Sequence, residues 1–290
     1  MKIAFIGDCK GKVHYSRYKA MQQWTSHSFD FFTIKQKNLS KMCASYDAVY
    51  YALYTMYKRH PVKHSNIYGS ATSWKCIFGS DHKRDMQILS RFHRLSANNL
   101  SLCRVIQKQR EDVQYIPNGV DTDFFCPVEK TMNNPLVIGW AGNTDRAEKN
   151  YPIFKKICKK CGFVEWKKVT TLKSTSFRKM RSAKEMREFY RSLDYFLVIS
   201  SYEGTPNPAL EAASCGVPLI STLVGNMPEL IREGETGFFV RPSVSSVKCS
   251  LDKICNISPQ KHAIMRHSIR DSMKNWNWPV VCKRFDSFFR

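Results

Sequence analysis

Two glutamates, Glu203 and Glu211, stand eight positions apart in the run Ser200-Ser-Tyr-Glu-Gly-Thr-Pro-Asn-Pro-Ala-Leu-Glu-Ala-Ala. The apolar stretch Tyr195–Ser200 reads as a buried strand that ends just before them. A helix is expected to begin near Pro208, because proline suits the first helical turn, where its missing N–H would have had no partner. The remaining N–H groups around Asn207–Ala209, with the helix dipole, favour an anion at this point. Glu203 then lies in the loop ahead of the helix, beside Gly204, and Glu211 lies inside it. Carboxylates accept hydrogen bonds from paired sugar hydroxyls. The segment therefore suits a ligand with hydroxyls at both ends and phosphate between, which describes a nucleotide diphosphate sugar. Taken alone, two glutamates at this spacing are ordinarily solvated charges; the strand, the loop and the prolines around them make the difference.

A second stretch, GWAGNTDRAEKN, follows another apolar run (Leu136–Ala141) and opens another helix. Gly142, followed by Asn143, allows close backbone approach, while Arg146 and Lys149 supply cations for phosphate. Two positive side chains facing a pyrophosphate can stabilise a departing nucleotide diphosphate. With them in place no divalent metal and no cofactor is expected beyond the nucleotide-sugar co-substrate. Asp121-Thr-Asp123 spells the DxD pattern of metal-dependent sugar transfer, but its place directly after PNGV reads as linker chemistry. Cys158 and Cys161 form a CxxC without a second pair, which is not enough for a structural zinc site.

These residues need a scaffold. Short apolar runs alternate with amphipathic stretches, the pattern of repeated βα units and a mainly parallel sheet. In the first part, strands are expected at Lys2–Ile6, Phe29–Ile34, Ala48–Tyr51, Asn66–Ile67 and Asp112–Ile116. Helices are expected at Tyr15–Trp24 and Asp85–Arg91, and Asn98–Val105 is read as a strand with a turn. The turn-rich IPNGVDTDFFCP then forms a connection. Beyond it come helices at Asn150–Lys160, Ala183–Ser192, Asn207–Cys215 and Met227–Glu233. Strands are expected at Glu165–Thr170, Tyr195–Ser200, Val217–Ser221 and Gly237–Val240, with an aromatic helix after Pro279. Two α/β domains result, and a ligand should lie at the C-terminal ends of their strands. The tyrosines at 46, 50, 51, 54 and 57 read chiefly as packing, with base stacking as the alternative.

The run EGTPNPALEAASCGVPLISTLVGNMPELIREGETGFFV closely resembles the donor-site region of the retaining GT-B glycosyltransferases of family 4. The family's E-x7-E pattern falls on Glu203 and Glu211, and the PNGVD linker and the Gly…Arg…Lys grip also resemble it. The likeness spans Ile116 to Val240, with the aromatic C-terminal helix fitting the segment that returns to the first domain. It implies an α/β GT-B fold, two Rossmann-like domains whose parallel sheets face a central cleft. The domains would run 1–117 and 118–275, with the returning helix at 276–290. It further implies that Glu211 binds the donor ribose, that Glu203 contacts the transferred sugar, and that Arg146 and Lys149 bind the diphosphate. Backbone around Asn207, Pro208 and Ala209 would assist. Transfer would retain the anomeric configuration, the departing phosphate helping to take the acceptor proton. The chain departs from the family in its first half. The loop GDCKGK, with Gly11 and Lys12, lacks the usual paired glycines. The loop YGSATSW, with Ser73, lacks the expected histidine, for which His82 is the nearest substitute.

The chain has 290 residues, 43% of them hydrophobic, enough for a proper core and against global disorder. No apolar run reaches the length of a membrane span and no signal peptide is evident, so a cytoplasmic chain is expected, at most peripheral to a membrane or to DNA. Eleven scattered cysteines, an odd count, fit reduced thiols better than a disulfide framework. The net charge of +22 favours a polyanionic partner. Residues 1–120 carry 19 basic and 7 acidic side chains, against 27 and 17 over the longer remainder, so the acceptor half is the more densely positive. Two acceptors fit. A hydroxymethylated base in DNA would be bound through counterion release and flipped into the site. A lipid-linked or envelope polysaccharide acceptor would lie at an anionic membrane surface. The net charge of +22, the short acceptor domain and the absence of an amphipathic anchor tilt the reading slightly toward DNA, while UDP-glucose as the donor is only what the family resemblance implies. A basic nucleic-acid-binding module without enzymatic activity is the alternative from another class.

Overall fold

The computed structural model describes residues 1–9, 13–72, 87–171 and 181–290. Gly11, Lys12, Ser73 and His82 lie outside the described residues. The chain divides into two compact units, one of residues 1–119 with 277–290, the other of residues 120–276.

The first unit is built on six parallel strands in the order β2-β1-β3-β4-β5-β6. They are β1 (Lys2–Gly7), β2 (Ser28–Thr33), β3 (Ala48–Tyr51), β4 (Ile67–Ala71), β5 (Arg94–Ala97) and β6 (Gln114–Tyr115). Ile3, Ala4, Phe5 and Ile6 are all fully buried, the continuous apolar run of a parallel strand covered on both faces. Helices α1 (Val13–Trp24), α2 (Leu39–Cys43), α3 (Thr55–Arg59) and α4 (Leu100–Gln107) belong to this unit. The strand expected over Asn98–Val105 is instead the start of α4. Asn99 caps that helix, its side chain accepting from the Leu102 N–H at 2.8 Å, and Leu102, Cys103 and Ile106 form its buried stripe. Tyr50, Tyr51 and Tyr54 are fully buried, which removes them as surfaces for base stacking.

The second unit holds five parallel strands in the order β11-β10-β9-β7-β8. These are β7 (Val137–Asn143), β8 (Glu165–Thr171), β9 (Tyr195–Val198), β10 (Leu219–Ser221) and β11 (Gly237–Phe239). Between and after them run α5 (Tyr151–Lys160), α6 (Ala183–Arg191), α7 (Asn207–Ser214), α8 (Met227–Leu230), α9 (Val244–Ile254) and α10 (Pro259–Ser272). Strand alternation divides the core. Tyr195 and Leu197 of β9 join one cluster with Trp140 and Phe154. Phe196 and Val198 join another with Tyr190, Ala209 and Leu210. A Ser182–Glu185 capping box starts α6. The last helix, α11 (Trp278–Phe288), packs on the first unit, burying Val281, Cys282, Phe285 and Phe288 with Ile3, Phe5, Tyr50 and Tyr68.

No described helix is long and apolar enough to cross a membrane. Among the described residues no group of three or more His, Cys, Asp or Glu side chains could hold a metal ion.

Candidate functional site

β7 and β9 are neighbours in the second sheet, so the loops leaving their C-terminal ends meet. The loop after β7 closes as a short 3-10 turn, Ala147–Lys149. It is tied to the loop after β9 by the Ser201 N–H on the Glu148 carbonyl at 2.8 Å. The Asn150 amide adds bonds to the Ile199 carbonyl and the Ser201 hydroxyl, both at 2.8 Å. This stitching places Lys149 against Glu203. The Lys149 Nζ donates to Glu203 Oε1 at 2.5 Å, and the Ser200 hydroxyl donates to the same oxygen at 2.7 Å. Only 13% of the Lys149 side chain and 7% of the Glu203 side chain are exposed, so this is a largely buried ion pair. Lys149, Ser200, Pro206 and Pro208 line one cavity of about 10 Å³ with Trp140, so the pair adjoins the start of α7. Gly142 leaves room for it: a Cβ there would come within 2.9 Å of the Trp140 ring and 3.5 Å of the Lys149 stem.

The start of α7 differs from the sequence expectation. Pro206 precedes the helix, and the turn closes tightly on itself. The Asn207 N–H is bonded to the Thr205 carbonyl at 3.0 Å and the Ala209 N–H to the Pro206 carbonyl at 2.8 Å. Pro208 has no N–H, so these expected free donors are already used and the helix dipole is what remains of the anion site. Ala209 is itself fully buried in the core. Gly204 is packed beneath the loop at Gly225, whose φ is +52° and whose Cβ would meet the Gly204 carbonyl at 2.5 Å. The Thr205 hydroxyl donates to the Asn226 side chain at 2.6 Å, buttressing the same turn.

Arg146 is also placed differently. Its Nε and Nη2 reach Glu148 Oε1 at 2.7 and 2.5 Å. Glu148 is nearly buried and draws the nearest guanidinium, leaving half of Arg146 exposed. Each cation expected to grip phosphate thus carries its own carboxylate. Asn143 sits at the end of β7, where its side-chain oxygen accepts from the Asp145 N–H at 2.9 Å.

Glu211 is partly buried in α7 and accepts from the Tyr190 hydroxyl at 2.6 Å. Burial pushes its carboxyl up to about 7 against an ordinary 4.5, with the Tyr190 bond opposing that rise. A folded-state value above the unfolded one stabilises the protonated form, so that contribution is full below about pH 4.5 and lost as pH rises through 7. Glu211→Gln is therefore expected to be more stable than the wild type at about pH 8, by about 2–3 kcal/mol, and to match it more closely near pH 4.5. Thermal unfolding at both pH values checks this; an equal pH slope in the two proteins would contradict it.

Ser200 and Tyr190 were not singled out from the sequence. Their signal was present only as burial: a hydroxyl inside a strand end or core needs a polar partner. Asp121 accepts from the N–H groups of Asp123 and Phe124 at 3.2 and 2.9 Å, so the DxD is a turn. Cys158 is half-buried and Cys161 fully buried against α9, the behaviour of core thiols.

Residues 138–256 match the family model described as Glycosyl transferases group 1. The phosphatidylinositol N-acetylglucosaminyltransferase GPI3 subunit of Saccharomyces cerevisiae is 34% identical over 92 residues, 31% of this chain and 20% of its own. The chain covers a quarter or less of the first curated relatives it matches. Across the whole fold, sucrose-phosphate synthase from Thermosynechococcus elongatus superposes with a TM-score of 0.77 at 12% identity, covering 100% of this chain and 98% of that one. Anabaena HepE in complex with UDP and glucose gives 0.73 at 12% identity, covering 99% and 98%. The chain thus has the GT-B fold of two parallel-sheet units, and residues 138–256 of its second unit are similar to the glycosyl transferases group 1 model.

Proposed function

We propose that the protein is a retaining, metal-independent glycosyltransferase. It moves a hexose from a nucleotide diphosphate sugar, with UDP-glucose the first candidate, to a hydroxyl of a polyanionic acceptor. The observation that carries this reading is the Lys149–Glu203 pair beside the start of α7, with Glu211 further along the same helix. HepE, which shares the fold, is bound to UDP and glucose.

In this reading the nucleoside hydroxyls meet Glu211 and the diphosphate lies over the start of α7. Lys149 has three N–H donors. One holds Glu203 and the others remain for the phosphate nearest the sugar. Glu203 meets the sugar hydroxyls. The bond between the anomeric carbon and the diphosphate oxygen breaks, the acceptor oxygen bonds to that carbon from the same face, and its proton passes to the departing diphosphate. Lys149 and the helix dipole stabilise the charge that gathers there. Arg146 contributes once phosphate draws it from Glu148.

The charge of +22 supports DNA bearing a hydroxymethylated base as the acceptor tested first. A second reading, a lipid-linked or polysaccharide acceptor, is favoured by the GPI3-subunit relative, whose name specifies phosphatidylinositol. Incubation with radiolabelled UDP-glucose and either hydroxymethylated DNA or membrane extract separates them. The favoured reading expects label in DNA. Label only in lipid or polysaccharide would overturn that acceptor, and a basic protein that bound DNA but transferred nothing would overturn the enzymatic reading.

A further inference from the structure

Tyr190 is fully buried on α6. Its ring is held by Phe189, Phe196 and Phe125 at centroid distances of 5.4, 5.7 and 6.1 Å. Its hydroxyl points at α7 and donates to Glu211 Oε2 at 2.6 Å. Burial, the Glu211 charge and that bond together hold the phenol well above its ordinary range, so it stays a donor at every pH of interest. The second carboxylate oxygen, Oε1, makes no hydrogen bond to any described side chain.

We propose that Tyr190 is the positioning residue of the nucleoside subsite: its hydroxyl fixes the Glu211 carboxylate, leaving Oε1 to accept from the vicinal diol of a ribonucleotide. The inference rests on the donor-site reading of Glu211. A bare carboxylate in this core would be held protonated by burial, and a protonated acid is a poor acceptor for two hydroxyls. A fixed phenol donor counters that by stabilising the anion, and its aromatic clamp sets the carboxylate plane.

Among the described residues, the titratable groups that interact with Glu211 are Tyr190 and Cys215. Tyr190 comes from α6, and the Cys215 thiol, itself pushed up to about 12 by burial, follows the end of α7. Arg191 of α6 and Arg270 of α10 act on Cys215, and Arg270 bonds the Ser214 carbonyl at the far end of the helix. β9 and β10 contribute the apolar Phe196, Val198 and Leu219 to the core cluster that also holds Tyr190 and, from α7, Ala209, Leu210, Ala212 and Ala213. Tyr190 is therefore the polar group that sets the carboxylate's state against burial.

UDP-glucose suits the test because both its phosphates are esterified, unlike a terminal phosphate that titrates near about 6. Calorimetric titrations from about pH 5.5 to 9 compare the wild type with Tyr190→Phe, which keeps the ring. Wild-type affinity is expected to fall as pH drops through about 7. In Tyr190→Phe the same fall moves up by about one pH unit, so affinity is about fivefold weaker at pH 7 and close to wild type near pH 9. Glu211→Gln, which leaves Tyr190 in place, is expected to lose the pH dependence. Superimposed wild-type and Tyr190→Phe profiles, or a loss equal at every pH, would overturn the inference. Carbon-13 NMR of the Glu211 carboxyl in ligand-free protein provides a second readout, with a midpoint higher in Tyr190→Phe expected and an unchanged midpoint fatal. Because that readout needs no ligand, a wild type that binds no nucleotide sugar would sink the donor-site reading and leave the NMR result to judge the coupling.

Discussion

Lys149→Met is expected to reduce sugar transfer by about 100- to 1,000-fold, the loss typical of removing one preorganised group from a developing negative charge. It is also expected to destabilise the second unit. Glu203 has 7% of its side chain exposed, and without Lys149 its partner in the structure is the Ser200 hydroxyl. Stripping one member from a buried ion pair costs about 3–5 kcal/mol. The two effects separate in the double variant Lys149→Met/Glu203→Gln. The buried carboxylate is then gone, so stability should return to within about 1 kcal/mol of the wild type while transfer stays lost. Chemical denaturation and radiolabelled transfer on the three proteins check this. Equal stability of the single and double variants would refute the pairing, and unimpaired transfer in Lys149→Met would refute its role.

Removal of residues 277–290 is expected to unfold the first unit and spare the second. Val281, Cys282, Phe285, Phe288 and Phe289 are each at most 2% exposed. Phe289 lies 5.1 Å from the Tyr68 ring and 5.5 Å from Tyr50, and the Trp278 ring covers Gly119 so closely that a Cβ there would meet it at 2.5 Å. Arg94 holds the carbonyls of Ser287 and Phe288 at 3.2 and 3.4 Å, and Asp286 accepts from the Ser26 N–H at 2.8 Å. At about 1.5–3 kcal/mol per buried side chain the helix contributes on the order of 10 kcal/mol, comparable with the stability of a whole domain. Calorimetry should show two wild-type transitions reduced to one. Two transitions at wild-type temperatures in the shortened chain would contradict the assignment of α11 to the first core.

The fold was legible where burial is continuous. Ile3–Ile6 and Tyr195–Val198 read as strands because a parallel strand covered on both faces must be apolar throughout. The stretch around Asn98 misled because Asn-Asn ahead of Leu-Ser-Leu-Cys looks like a turn next to an apolar run, and only its hydrogen bond to Leu102 reveals a helix cap. β5, α2 and α3 are four or five residues long and carry too few apolar repeats to show a period. In the site, Glu203 and Lys149 could be singled out as residue types at a spacing, and the structure sets them 2.5 Å apart. Their mutual pairing, the capture of Arg146 by Glu148 and the closed first turn of α7 could not be read, because each depends on which side chains burial forces together. Tyr190 escaped for the same reason: it lies 21 positions from its carboxylate, and no local pattern links them.

The account stands on a nucleotide diphosphate sugar held at the start of α7 by Lys149, Glu203 and Glu211. Isothermal titration of a panel of nucleotide sugars into the wild type and Glu211→Ala tests it most directly. Saturable binding of at least one of them to the wild type, weakened about tenfold or more in Glu211→Ala, is the predicted result. A wild type that binds none of them, or a Glu211→Ala that binds as tightly as its parent, would contradict it.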